Sequence, residues 1–170
     1  MLKLKVALAL IVPALVLVAL QAQQQRTKGS LTALDYAEIQ QLYGRYAIGI
    51  DSANGEMFAR AFTPDGTFHA PNNVIDGREK LAEFAKRPTS NKGPTNVRHV
   101  VSNVTIEPSP EGATGTAYVL LVNIGESGKP SGLTGGGIYR DTFVKSAEGW
   151  RIKTRTYQPA HSVPAKSSAN

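Results

Sequence analysis

Cysteine is absent from all 170 residues. That excludes disulfides, thiolate metal ligands, a lipid-bearing N-terminal thiol and a cysteine nucleophile, so the fold must be held by its core alone. Histidine is scarce. His69, His99 and His161 are the only three, they are scattered without paired carboxylates, and no metal site is expected. No nucleophile elbow is present. Gly135-Gly136-Gly137 precedes a strand pattern and not a helix N-terminus, so it is read as room for a bend or a ligand and not as a phosphate loop. Acidic residues are missing from both ends of the chain. Lys3, Lys5, Arg26, Lys28 and Lys166 lie outside residues 31–158 with no acid to balance them, so the net charge of +6 falls to near +1 within that span. The basic character therefore belongs to the ends, and no nucleic-acid partner is expected.

Long hydrophobic runs are also lacking, with one exception. Val6–Leu20 is apolar and broken only by Pro13; Lys3 and Lys5 precede it and the small Ala22 closes it. Residues 1–22 thus have the plan of a secretory signal peptide, cut after Ala22, which implies export to a periplasm or the exterior and no membrane attachment afterwards. The run is short for a membrane span of about 20 residues; an uncleaved anchor is the rival reading. Residues 23–30 read as a linker and 159–170 as a loose tail, which leaves 31–158 as one domain.

Within that domain the first strong pattern is helical. Leu34, Ile39, Leu42, Tyr43, Tyr46, Ala47 and Ile50 recur at three- and four-residue steps, and Thr32 with Asp35 supplies a capped start. Tyr46 and Asp51 are about one and a half turns apart at the inner end of that face, so both can reach one cavity. Ser52–Gly55 breaks the pattern. Glu56–Phe62 is expected as a short helix, Thr63–Gly66 as a turn and Thr67–Ala70 as a short strand. A further helix starts at Asp76-Gly77 and ends before Pro88, and Thr89–Thr95 is a polar loop. The composition then turns to strands: Val97–Glu107, Ala113–Ile124, Gly135–Ser146 and Trp150–Tyr157, with hairpin-length links at 108–112 and 146–149 and a longer Gly-rich loop at 125–134. Helices followed by long antiparallel strands give an α+β class, with the helices on one face of a curved sheet and a small-molecule cavity between the layers.

Several local strings carry a resemblance to a known family. They are Leu42–Tyr46 with Ile50-Asp51, Phe62–Phe68, Asp76–Glu79, Arg98–Asn103, Tyr139–Asp141 and Gly149–Ile152. In this order the chain resembles the nuclear transport factor 2-like superfamily, and within it the SnoaL-like group that includes scytalone dehydratase and bile-acid 7α-dehydratase. The resemblance spans nearly all of residues 31–158 and implies a cone-shaped α+β barrel. It also implies a homodimer formed by sheets pairing face to face, for which the apolar run Tyr118–Val122 offers a surface. In the dehydratases a Tyr, an Asp and a His share the pocket; Tyr46, Asp51 and His99 match them in order and spacing. Where scytalone dehydratase has a second pocket histidine, the strand 114–124 offers only Tyr118. Where polyketide cyclases and ketosteroid isomerases carry an acid on a late strand, only Asp141 is available.

Those three residue types suit one reaction class. Elimination of water beside a carbonyl needs a base and then an acid, and one imidazole can serve as both. A carboxylate fixes its tautomer, and a phenol polarises the carbonyl as enolate charge develops. No cofactor is expected for such chemistry. The reading is a lyase, dehydratase or isomerase acting on a small, largely apolar hydroxy-ketone or phenolic compound. The alternative is a non-catalytic small-ligand-binding or scaffold domain, in which His99 is a hydrogen-bonded strand residue, Asp51 a turn residue and Tyr46 part of the core. Tyr43 is read as core; Arg98 and Arg140 are read as solvated arginines of the sheet face, with binding of an anionic substrate as the alternative.

Overall fold

The computed structural model describes residues 30–86, 96–125 and 132–160. The proposed signal peptide, most of the linker, the polar loop from Thr89 and nearly all of the tail fall outside them. The elements in chain order are α1 (Ala33–Asp51), α2 (Gly55–Arg60), β1 (Phe62–Ala70), β2 (Asn73–Asp76), α3 (Arg78–Lys86), β3 (Val97–Ser109), β4 (Gly112–Asn123), β5 (Gly132–Ser146) and β6 (Gly149–Pro159). The strands form one curved, unclosed six-stranded sheet in the order β2-β1-β6-β5-β4-β3. Every pairing is antiparallel except β1 with β6, which is parallel. The mixed α+β class expected from the sequence is therefore the observed one.

The start of α1 is set by a reciprocal cap. Thr32 accepts from the Asp35 amide, and the Asp35 carboxylate takes the Thr32 amide at 2.8 Å and its hydroxyl at 2.6 Å. The same carboxylate also binds Lys145 Nζ and Trp150 Nε1, both at 2.7 Å, which ties the helix to the β5–β6 hairpin. The buried stripe of α1 is Ile39, Leu42, Tyr43, Tyr46 and Ala47. Leu34, expected on that stripe, is instead 65% exposed, because the first turn is anchored through Asp35 and its neighbour points away. At Gly49 the backbone of α2 comes so close that an added Cβ would stand 2.6 Å from the Phe58 amide nitrogen.

Several local readings differ from the structure. Phe62 opens β1 and does not close α2, and it is fully buried there. Residues 63–66 lie within β1 as an irregularity: between the pairs Phe62↔Ile152 and Thr67↔Thr154, only Lys153 intervenes on β6. The strand β2 was not expected at all; Asn73–Asp76 is too short to show a period, and it is held as a strand by its pairing with Thr67–Ala70. In addition β5 begins at Gly132, inside the stretch read as loop, and Pro159, read as tail, still pairs with Gly137.

Candidate functional site

The C-terminus of α1 is fixed before any functional group is placed. Ser52 caps it, its hydroxyl donating to the Ile48 carbonyl at 2.6 Å, and Ala53 takes φ 53°, which turns the chain out of the helix. Asn54 then caps α2 by accepting from the Met57 amide at 3.0 Å. Asp51 is thereby held against the start of β3. One carboxylate oxygen accepts the His99 backbone N–H at 3.0 Å, and the other lies 2.6 Å from His99 Nδ1. A carboxylate can only accept, so Nδ1 carries the hydrogen, and in the neutral imidazole that leaves the lone pair on Nε2. The two side chains keep 13% and 14% of their exposure.

Tyr46 lies beside this pair. Its ring meets the His99 ring edge-on, centroids 6.4 Å apart at 83°. It is also the centre of an aromatic cluster, 4.7 Å from Phe58 and 5.4 Å from Tyr139. Burial pushes its hydroxyl up to about 12, with the charge of Arg155 and the neighbouring Tyr139 acting the other way. Burial likewise raises the Tyr139 hydroxyl well above its ordinary value.

The structure brings in two residues that the sequence left open or passed over. Asp141 faces inward, and Arg155 grips it as a fork: Nε donates to Oδ1 and Nη2 to Oδ2, each at 2.8 Å. Both side chains are fully buried. Burial alone would lower the Arg155 guanidinium, but the Asp141 charge and hydrogen bonds outweigh it, so the cation stays charged. Its carbon lies 4.2 Å from the Tyr46 ring centre, 4.3 Å from that of Tyr139 and 4.8 Å from that of Tyr43. Tyr43 is a core residue, as expected, and Gly115 leaves room for its hydroxyl; a Cβ there would be 2.6 Å from it.

Arg155 escapes sequence reasoning because of one residue. Trp150 and Ile152 alternate inward, which would send residue 155 outward. The pairs Phe143↔Ile152 and Thr142↔Thr154 leave Lys153 unopposed, and this bulge reverses the alternation. The signal available was Tyr157, an aromatic on the opposite parity to Trp150. Arg98 and Arg140 stay outside the site: Arg98 donates to the carbonyl of Val97, and Arg140 reaches Gln158 on the outer face. Tyr118 is 52% exposed on that face. Among the described residues no third His, Asp or Glu joins Asp51 and His99 as a metal-ligand set.

A family model for the SnoaL-like domain matches residues 31–156. Among solved structures, a Mycobacterium tuberculosis protein of unknown function aligns at 28% identity over 76% of this chain and 74% of its own, with a TM-score of 0.66. A protein from Catenulispora acidiphila, solved in complex with S-DNPA, aligns at 26% identity over 74% and 95%, with a TM-score of 0.60. A candidate scytalone dehydratase from Novosphingobium aromaticivorans aligns at 23% identity over 75% and 85%, also at 0.60, a likeness of fold alone. No match was found among curated proteins.

Proposed function

This chain belongs to the SnoaL-like domain family, and from that premise we propose that it is a cofactor-independent lyase or isomerase of a small apolar hydroxy-ketone or phenolic compound. The observation that carries the reading is the double contact between Asp51 and His99. It leaves Nε2 of an oriented imidazole as the free base. In dehydration, Nε2 takes the proton from the carbon beside the carbonyl. The electron pair moves into the enolate, and the imidazolium, stabilised by Asp51, returns a proton to the departing hydroxyl as the carbon–oxygen bond breaks. Tyr46 beside the ring supplies the polar group toward the developing oxyanion. Isomerisation uses the same first step and returns the proton to a different carbon.

A panel of small aryl β-hydroxy-ketones, followed by the absorbance of the conjugated enone, tests this. Turnover that disappears in His99→Ala supports it; a panel bound without conversion, with affinities unmoved by His99→Ala, sinks it. The second reading, a ligand-binding domain without turnover, is favoured by one observation: Tyr46 is 1% exposed and its ring is packed among those of Phe58 and Tyr139.

Two further proposals accompany the reading. The protein is exported, with a mature chain starting near Gln23; an intact Met1 on exported material would refute this. It is a homodimer through the outer face of the sheet. That face carries Val100, Tyr118 and Leu120 as exposed apolar side chains beside a groove of about 690 Å³.

A further inference from the structure

Among the described residues, Arg155 is the largest side chain with no exposure at all. A buried ion pair is weak evidence for stability, because well-packed apolar residues of similar volume serve a core as well or better. The Asp141–Arg155 pair therefore calls for another account. Its geometry is one-sided. Asp141 occupies Nε and Nη2, while Nη1 is buried without a hydrogen-bond partner. Three tyrosine ring centres lie 4.2 to 4.8 Å from the guanidinium carbon, of which that of Tyr46 is the nearest. Tyr46 in turn is the ring that meets His99.

We propose that Arg155, anchored by Asp141, is a positioning residue for Tyr46: it holds the Tyr46 ring against His99 and places a positive charge beside its phenolic oxygen. The proposal rests on the reading of Tyr46 and His99 as the site. The pair is neutral as a whole, yet the Arg155 carbon lies 4.2 Å from the Tyr46 ring centre, and the charge of Arg155 outweighs that of Asp141 in its effect on Tyr46. Among the described residues, the charged and titratable groups around Tyr46 are Tyr43 and Asp51 from α1, His99 from β3, Tyr139 and Asp141 from β5 and Arg155 from β6. The neighbours from α2 and β1, Phe58, Phe62 and Phe68, carry no charge. Arg155 is thus the one cation in the set apart from a protonated His99. A negative charge forming on the Tyr46 oxygen, or on a substrate oxygen bonded to it, is opposed by burial and favoured by Arg155.

The test needs no substrate. The full chain is labelled with 3-fluorotyrosine, which makes phenols more acidic and brings their titration into reach. The Tyr46 resonance is assigned by its loss in Tyr46→Phe and followed by fluorine NMR against pH. Arg155→Met is expected to raise the Tyr46 titration midpoint by about one unit or more, and Asp141→Asn to lower it. Arg155→Lys keeps the charge and is expected to stay nearer the parent. A structural role alone moves no midpoint with opposite sign in the two variants. Midpoints that stay put, or move the same way in Arg155→Met and Asp141→Asn, overturn the proposal. If Arg155→Met does not fold, the comparison of Arg155→Lys with Asp141→Asn decides in the same way, the first near the parent and the second below it. Failure of the proposed function is distinguishable: opposite shifts with no turnover on the ketone panel leave the positioning role intact and remove the enzyme.

Discussion

Asp51 and His99 are joined twice, through the His99 backbone amide at 3.0 Å and through its ring Nδ1 at 2.6 Å. The two bonds have different consequences. In the proposed reaction the ring contact orients the base; the backbone contact ties the end of α1 to the start of β3. Replacing His99 by Ala removes only the first. The expected result is a loss of turnover of about 10²–10⁴-fold, with stability lowered by no more than about 1 kcal/mol. Asp51→Ala removes both and leaves a part-buried N–H unpaired, so it should cost about 1–3 kcal/mol as well as activity. Asp51→Asn keeps an acceptor for the amide but loses the charge, and should fall between them in activity while retaining stability. Urea denaturation beside turnover on the ketone panel separates the three; equal stability losses in all would contradict this division of roles.

Asp35 is expected to contribute to acid stability. Its carboxyl is held well below the usual carboxylate range, chiefly by the hydrogen bond from Lys145, then by those from Thr32 and Trp150. A folded-state value below the unfolded one means that the stabilisation is fully present above pH of about 4 and is withdrawn as pH falls below that. The parent should therefore lose stability on acidification from pH 4 downward. Asp35→Asn should lose about 2–3 kcal/mol at neutral pH and show a flatter acid limb. Thermal unfolding of both proteins across pH 2–7 measures the difference; parallel curves would exclude Asp35 as the cause.

Gly49→Ala sets two effects against each other. Alanine gains about 1 kcal/mol in a helix interior over glycine. Here, however, the new Cβ would stand 2.6 Å from the Phe58 nitrogen and 2.8 Å from its Cα, both backbone atoms that cannot swing aside. The clash should win, with a net destabilisation of about 1–3 kcal/mol. Phe58 packs 4.7 Å from Tyr46, so the displacement should also reach the site and depress activity beyond the loss of stability. A stabilised Gly49→Ala protein in a denaturant melt would show that α1 and α2 approach less closely than this.

The outer sheet face predicts association. Tyr118 and Leu120 alternate with the buried Ala117 and Val119, so β4 is apolar on both sides. A solvated face would carry polar residues there. Light scattering at micromolar concentration should give twice the chain mass for the parent and one chain mass for Tyr118→Glu. A monomeric parent would exclude the homodimer.

Local chemistry made much of this chain legible. Thr32 and Asp35 announce a helix start, the spacing from Ile39 to Ala47 marks its buried face, and the strands from Val97 onward separate at their own turns, because each of these signals is carried by residues close together in sequence. The pairing of Asp51 with His99 could be anticipated only as a match to a family pattern, since 48 positions separate them. Other features had no local signal at all. Val74 and Ile75 become a strand through their pairing with β1, and the length of the β5 strand depends on β4 beside it.

Residues 31–158 thus specify by themselves a capped amphipathic helix, two shorter helices and a long, mostly antiparallel sheet to cover them. Tertiary structure alone decided which face Arg155 occupies. One unopposed residue, Lys153, reverses the alternation of β6, turns a strand arginine into the buried partner of Asp141 and sets it against Tyr46. The physical reason is that side-chain period is fixed along a strand, whereas the point at which a strand skips a partner is fixed by its neighbours: β6 must fit both β5 and the irregular β1, and the bulge is where those two registers are reconciled.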